Sequence, residues 1–193
     1  MIERKLVVDV VIGSISDLKY CREALLWLSQ RDAVELRVHV ISCHRHPRAL
    51  LEYVVGINTG NPVDAIIAGA GWAAHLPGML KTDLTWFYRP TPVIGVGFPG
   101  GTPKRDMAAR RSIDQLPGQP VIVKKNGTAF FGSMGMIKAA ELAVSMPQMP
   151  INRFPYATHS DIVRSLPCNP ATDKPFYRDF DWRAELAKQT PSA

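Results

Sequence analysis

Leu6-Val7-Val8-Asp9-Val10-Val11-Ile12, stopped by Gly13-Ser14, decides the fold. The run is short, rich in β-branched residues and ended by turn formers, which predicts a strand buried on both faces. From Asp17 to Gln30 the apolar residues Tyr20, Ala24, Leu25, Trp27 and Leu28 recur at helical spacing. The same alternation continues outward. Strands are predicted at Val34 to Ile41, Val63 to Ala68, Thr91 to Val96 and Pro120 to Lys125. Helices are predicted at Pro47 to about Asn58, Leu76 to about Phe87, Lys104 to about Gln115 and Ser133 to Ser145. Pro47 and Pro77 each fall in a first helical turn, where the missing N–H costs nothing.

Strands and helices that alternate at this spacing require right-handed crossovers and a parallel sheet covered on both faces. The expected fold is α/β, a three-layer, flavodoxin-like (Rossmann-type) sheet in one domain over residues 1–148. Beyond Met146 the composition turns to Pro, Asn, Arg and isolated aromatics, with an amphipathic stretch only near Trp182 to Lys188. Residues 149–193 therefore read as a C-terminal extension, expected to pack on a neighbouring subunit.

A chain of 193 residues, 46% hydrophobic and 21% charged, is long enough to bury one real core. The apolar part of its opening is too short and too soon broken by Gly13 for a signal peptide or a membrane span, so a soluble, unprocessed protein is expected. Cys21, Cys43 and Cys168 are odd in number and fit no zinc or disulfide framework, which points to a reducing compartment, the cytoplasm. The net charge of +6 is scattered along the chain. A small phosphorylated anion accounts for it without nucleic acid as a partner.

In such sheets ligands bind beyond the carboxyl ends of the strands. Three predicted loops lie there. Gly13-Ser14-Ile15-Ser16-Asp17 offers two hydroxyls and bare amides at a helix start, suited to phosphate, while Asp17 can accept from ribose hydroxyls; an ordinary helix N-cap is the competing reading. Ser42-Cys43-His44-Arg45-His46-Pro47 sets a titratable imidazole beside a guanidinium fork, although a strand-end His is often only structural.

The third loop, Ala68-Gly69-Ala70-Gly71-Trp72-Ala73-Ala74-His75-Leu76-Pro77-Gly78, packs small residues that let backbone amides line a pocket. It also fits G-x-G-x-x-A, but after the third strand and without an acidic residue at the dinucleotide spacing. His44, His46 and His75 are a weak metal set, lacking a convincing carboxylate or thiolate partner, so no metal is expected. Cys43 as a nucleophile is a minor alternative, since sequence neighbours usually point apart.

Together these loops resemble the 5-(carboxyamino)imidazole ribonucleotide mutase family, also called the PurE family. Its pattern reads Gly-Ser-x-Ser-Asp, then Ser-Ala-His-Arg-x-Pro, then Ala-Gly-Ala-Gly-Gly-Ala-Ala-His-Leu-Pro-Gly-Met. The likeness runs from about Val8 to Val144, with fainter echoes at Pro92 to Val96 and Ser112 to Gly118. The resemblance implies a cytoplasmic homo-octamer that uses neither metal nor organic cofactor. Its partners would be a phosphorylated ribonucleotide substrate and carbon dioxide, not a membrane. It further implies that His44 moves the proton and that Ser14, Ser16, Asp17, Ser42 and Arg45 hold ribose and phosphate. Ala70, Gly71, Ala73, Ala74, His75 and Leu76 would enclose the ring and released carbon dioxide, with His75 as a positioning or wall residue.

Several residues depart from that pattern. Trp72 replaces a glycine, Cys43 an alanine, and His46 a position often held by Thr. Arg110 and Arg111 are new cations that suit a more anionic ligand, a different interface or a solvated helix face. Residues Lys81 to Pro90, with Trp86, Phe87 and Tyr88, are additional. Three readings follow: the purine-pathway mutase, a paralogue that carboxylates or decarboxylates another azole or pyridine nucleotide, and a non-catalytic nucleotide-binding protein, which the presence of His44 argues against.

Overall fold

A computed structural model of the chain describes residues 4–59, 63–87, 90–147 and 181–189. Five parallel strands form one sheet in the order β2-β1-β3-β4-β5: β1 (Leu6–Ile12), β2 (Val34–Val40), β3 (Ala65–Gly71), β4 (Val93–Phe98) and β5 (Phe130–Phe131). All seven residues of β1 and all six of β4 are buried. That is why both read as near-continuous apolar runs, broken only by Asp9 in β1, rather than as alternations.

The period of two in β1 sorts its side chains between two helical layers. Leu6, Val8, Val10 and Ile12 join one core with α1 (Leu18–Ser29) and α5 (Gly132–Val144). Val11 joins a second with α2 (Pro47–Thr59) and α3 (Leu76–Trp86). The polar helix α4 (Pro103–Asp114) buries only Ala109 and Ile113, against β4. It comes this close because β4 carries Gly95, where a Cβ would lie 2.6 Å from Ile113 and 2.7 Å from Val121. No helix among the described residues is long and apolar enough to cross a membrane.

Two buried carboxylates interrupt this apolar frame. Asp64 accepts two hydrogen bonds from the Arg4 guanidinium (2.6 and 2.8 Å) and one from the Val7 N–H (2.7 Å), tying the start of β1 to the approach of β3. Asp9, inside β1, accepts from Arg37 Nε and Tyr53 Oη at 2.7 Å each, and His39 Nε2 lies 3.3 Å away. Burial alone would push the Asp9 carboxyl up. Contacts with His39, Arg37 and Tyr53 outweigh that and hold it below the ordinary carboxylate value. Arg37 and His39 lie on β2, which among the described residues pairs only with β1, so this cluster fastens an edge strand to the sheet.

One expectation needs correction. The strand expected over Pro120 to Lys125 makes only a single bridge, Ile122 to Ile94. The chain then turns back on itself, with Lys124 N–H donating to Thr128 O and Gly127 N–H to Lys124 O, and pairing with β4 resumes at Phe130–Phe131. The edge strand is thus broken by the Asn126-Gly127 turn, since these residues favour a reversal over extension.

In the expected extension the amphipathic stretch forms helix α6 (Trp182–Lys188), which lies on α1 of its own chain. Trp182 and Leu186 enter the α1 core, and Arg22 Nη1 donates to Leu186 O (3.5 Å). The rest of the expected extension through 180, Cys168 included, lies outside the described residues, as does Tyr88. Of the additional aromatics, Trp86 is exposed and Phe87 packs on the α2–α3 core.

The Asp9 cluster predicts a pH-dependent stability. A carboxylate whose folded pKa is depressed stabilises above its unfolded value near 4, and that contribution is lost as pH falls through the folded value. Asp9→Asn should destabilise the protein at pH 7 by about 3 kcal/mol, the low end for breaking a buried pair, because Arg37 can still reach water. Denaturant unfolding at several pH values should show the gap between wild type and variant narrowing below about pH 4.

Candidate functional site

Strands β1 and β3 are neighbours, yet the chain leaves β1 for α1 on one face and β3 for α3 on the other. This reversal opens a crevice at the carboxyl ends of the strands. A cavity of about 650 Å³ occupies it, walled by the loops that follow β1, β2, β3 and β4. The first three loops are those read from the sequence. The fourth, Pro99-Gly100-Gly101, was missed, although the same strand-end rule applied to β4 identifies it. Lys19 and Tyr20, from the first turn of α1, also line the cavity and left no signal beyond their nearness to Asp17.

In the first loop Ser14 is extended and caps a single 3-10 turn, Ile15–Asp17. Its Oγ accepts from Ser16 N–H (3.4 Å) and lies 2.9 Å from Ser16 Oγ. The cap and the cavity wall are therefore the same residue. Burial raises the Asp17 carboxyl to about 6, against the opposing pull of Arg45 and a hydrogen bond from the Ser14 backbone.

The second loop reaches across to the first. Arg45 Nη2 donates to Gly13 O (2.9 Å), and the Arg45 N–H donates to Ser42 Oγ (3.3 Å). His46 turns back, its Nδ1 accepting from Ser42 N–H (3.4 Å), and does not line the cavity. Among the described residues no group of three His, Cys, Asp or Glu is placed to hold a metal ion. Cys43 borders the cavity, while its side chain is buried in the α2–α3 core and the neighbouring His44 is exposed. Its thiol is pushed up by burial, which disfavours the thiolate a nucleophile needs.

His44 is exposed to the cavity, and its Nε2 lies 3.1 Å from His75 Nδ1, with the two rings edge to face. At that distance the two nitrogens share one hydrogen, so one ring donates while the other accepts. His75 thus contacts the other imidazole directly rather than forming wall alone.

In the third loop Ala70, Gly71, Ala73, His75 and Leu76 line the cavity as expected. Ala74 does not. It is fully buried with Ala109, Ile113, Val121 and Ala129 beneath α4, facing away from the opening. Gly69 serves packing, since a Cβ there would lie 2.5 Å from the Phe98 ring. The apparent dinucleotide glycines thus belong to strand β3 itself and not to a phosphate loop.

Trp72 adopts a left-handed backbone, φ 59°, which costs a residue with a Cβ about 1–2 kcal/mol. Its indole borders the cavity, 59% exposed, with the Arg105 guanidinium 3.6 Å from the ring centroid. Arg110 and Arg111 lie on the exposed face of α4, outside the cavity, Arg110 over the Phe131 ring at 3.6 Å. A more anionic ligand in this cavity therefore loses the support of that pair.

Comparison with known proteins agrees with this geometry. A family described as AIR carboxylase matches residues 7–153. An N5-carboxyaminoimidazole ribonucleotide mutase from Mycobacterium tuberculosis is 37% identical over 143 residues, 74% of this chain and 76% of its own. One from Aquifex aeolicus is 36% identical over 149 residues, 75% and 81% of the two chains. A phosphoribosylaminoimidazole carboxylase from Candida glabrata is 40% identical over 120 residues, 61% of this chain but 20% of that longer protein. Because the match takes in β1 through α5 and all four loops around the cavity, this chain belongs to the AIR carboxylase family.

Proposed function

We infer that this chain is an enzyme of purine synthesis that interconverts 5-(carboxyamino)imidazole ribonucleotide and 4-carboxy-5-aminoimidazole ribonucleotide. The observation that carries the reading is the convergence of His44, Arg45, Asp17 and Ser14 on one cavity at the β1/β3 reversal, together with relatives that bear the mutase name. Arg45 and the hydroxyls of Ser14, Ser16 and Ser42 bind phosphate, and Asp17 accepts from the ribose. The loop from Ala70 to Leu76 encloses the ring and the carbon dioxide.

The proton moves twice. In the first half the N–carboxyl bond breaks, carbon dioxide departs, and His44 gives its proton to the nitrogen left behind. In the second half the ring carbon bonds to the trapped carbon dioxide, and His44 takes the proton that carbon loses. The cycle ends with the proton balance unchanged. Holding carbon dioxide against the ring carbon makes the second step effectively intramolecular. His75, hydrogen-bonded to His44, orients the imidazole between the two transfers.

Decarboxylation is thus half of the isomerisation rather than a separate lyase activity. The working form in this reading is a homo-octamer in the cytoplasm, needing neither metal nor organic cofactor. A paralogue acting on another azole or pyridine nucleotide keeps one supporting observation, Trp72, now that Arg110 and Arg111 lie outside the cavity. A non-catalytic binding protein has no use for the paired imidazoles that face the opening.

Three measurements test this. His44→Asn should lower turnover of carboxyaminoimidazole ribonucleotide, followed spectrophotometrically, by about 10²–10⁴-fold while leaving nucleotide affinity nearly intact; a wild-type protein with no His44-dependent rate removes the mutase reading. Arg45→Ala should weaken nucleotide binding by about 2–5 kcal/mol in calorimetry, as when a partner charge is truncated.

For Asp17 the sign is the reverse of Asp9. Its raised folded pKa means that ionisation disfavours the folded state, a penalty absent below about pH 4 and complete above about 6. Asp17→Asn should therefore raise the melting temperature of the empty protein at pH 7 but not at pH 4, while weakening ribonucleotide binding at pH 7. A stability gain that is the same at both pH values would contradict the raised carboxyl.

A further inference from the structure

The mouth of the cavity holds a feature that the proposed chemistry leaves unused. Trp72 keeps a left-handed backbone that suits glycine, so its side chain is retained against local strain. The first turn of α4 braces it. Arg105 lies on one face of the indole at 3.6 Å, and Arg105 Nη1 donates to Gly100 O (3.3 Å). On the other side of the same peptide run, Gly100 N–H donates to Asp106 Oδ1 (2.7 Å). The loops after β3 and β4 are thereby clasped together through the indole, and both border the cavity. The tryptophan nonetheless stays more than half exposed. An aromatic ring fixed on one side and open beside a nucleotide-sized cavity is the arrangement that stacks on a base.

We propose that Trp72, positioned by Arg105, is a specificity-determining residue that offers its indole as a stacking platform for the planar heterocycle of the nucleotide. The inference rests on the ribonucleotide reading above, and it assigns the ring end of the ligand to the Trp72 side and the phosphate to the Arg45 side. Stacking tolerates any flat ring, so the platform selects for a ring-bearing ribonucleotide over a bare sugar phosphate. Toward the ligand Arg105 acts through the indole, holding it in one orientation.

Calorimetric titration with two probes, 4-carboxy-5-aminoimidazole ribonucleotide and ribose 5-phosphate, tests the assignment. Trp72→Gly suits the left-handed backbone and so should keep the fold and the melting temperature. It should weaken the ring-bearing nucleotide by about 10-fold, within the range for losing one base–aromatic stack, and leave ribose 5-phosphate within about twofold. Trp72→Phe should restore most of the difference. Arg105→Gln should lower affinity for the ring-bearing probe alone, by less than Trp72→Gly does. Arg45→Ala, as the control, should weaken both probes.

Equal losses for both probes in Trp72→Gly would reduce the indole to a structural clasp and overturn the proposal. Tighter binding of the ring-bearing probe would do so too, marking the indole as an obstruction. A changed assembly mass in light scattering, with probe affinities unchanged, would assign Trp72 to a subunit contact and likewise overturn it. Failure of the wild-type protein to bind either probe would remove the ribonucleotide reading itself, an outcome separate from any of these.

Discussion

Everything at the site depends on the reversal of strand order between β1 and β3. These strands share hydrogen bonds in parallel register, Val8 to Ala65 through Ile12 to Gly69. Their following helices must diverge to opposite faces, because each face of the sheet needs its own apolar cover. No helix can then close the space over the two strand ends, and a crevice remains there. The loops from β2 and β4 reach the same space because their strands flank the central pair. Arg45 donating to Gly13 O and Arg105 donating to Gly100 O fix these loops by hydrogen bonds that a mobile rim would lack.

The frame tolerates local cost at the opening because it is firmly held elsewhere. Asp17 is kept half-ionisable near pH 6, and Trp72 sits in a backbone region that penalises it. Against these stand two satisfied buried carboxylates. Asp64 ties the entry of β1 to β3, and Asp9 anchors the edge strand β2, whose carboxyl end delivers Ser42, His44 and Arg45. The position of the paired imidazoles is therefore fixed partly from the far side of β2. Stability concentrated in the sheet and strain concentrated at the loops is the distribution expected of a site that must hold its groups ready before ligand arrives.

Much of this was legible in the residue order. The run Leu6 to Ile12 reads as a buried strand because it is short, β-branched and stopped by Gly13-Ser14, which turn the chain toward a helix. The three loops were found for the same reason. Asp9 within that run carries no local sign of its role, because nothing near it reveals that Arg37 and Tyr53 will meet it from 28 and 44 residues away. The edge strand was misplaced because its β-branched start, Val121-Ile122-Val123, reads as a full strand, whereas β4 accepts it only at Ile122 and again at Phe130. Ala74 was grouped with its neighbours because small residues carry no periodicity to show which of them turns inward beneath α4.

By itself the sequence determined the alternation of strands and helices, the parallel sheet, the loops at the strand ends and the chemical types gathered there. All of these follow from interactions within a few residues or from hydrophobic period. Tertiary structure alone decided that His44 and His75, 31 residues apart, share a hydrogen bond. It also decided that Pro99 to Gly101 complete the wall, that Arg105 rather than Arg110 or Arg111 stacks on Trp72, and that α6 settles on α1. The reason is common to all four. Each is a contact between segments whose meeting is set by how the helices close over the sheet, and that closure is a property of the whole packed core rather than of any one segment.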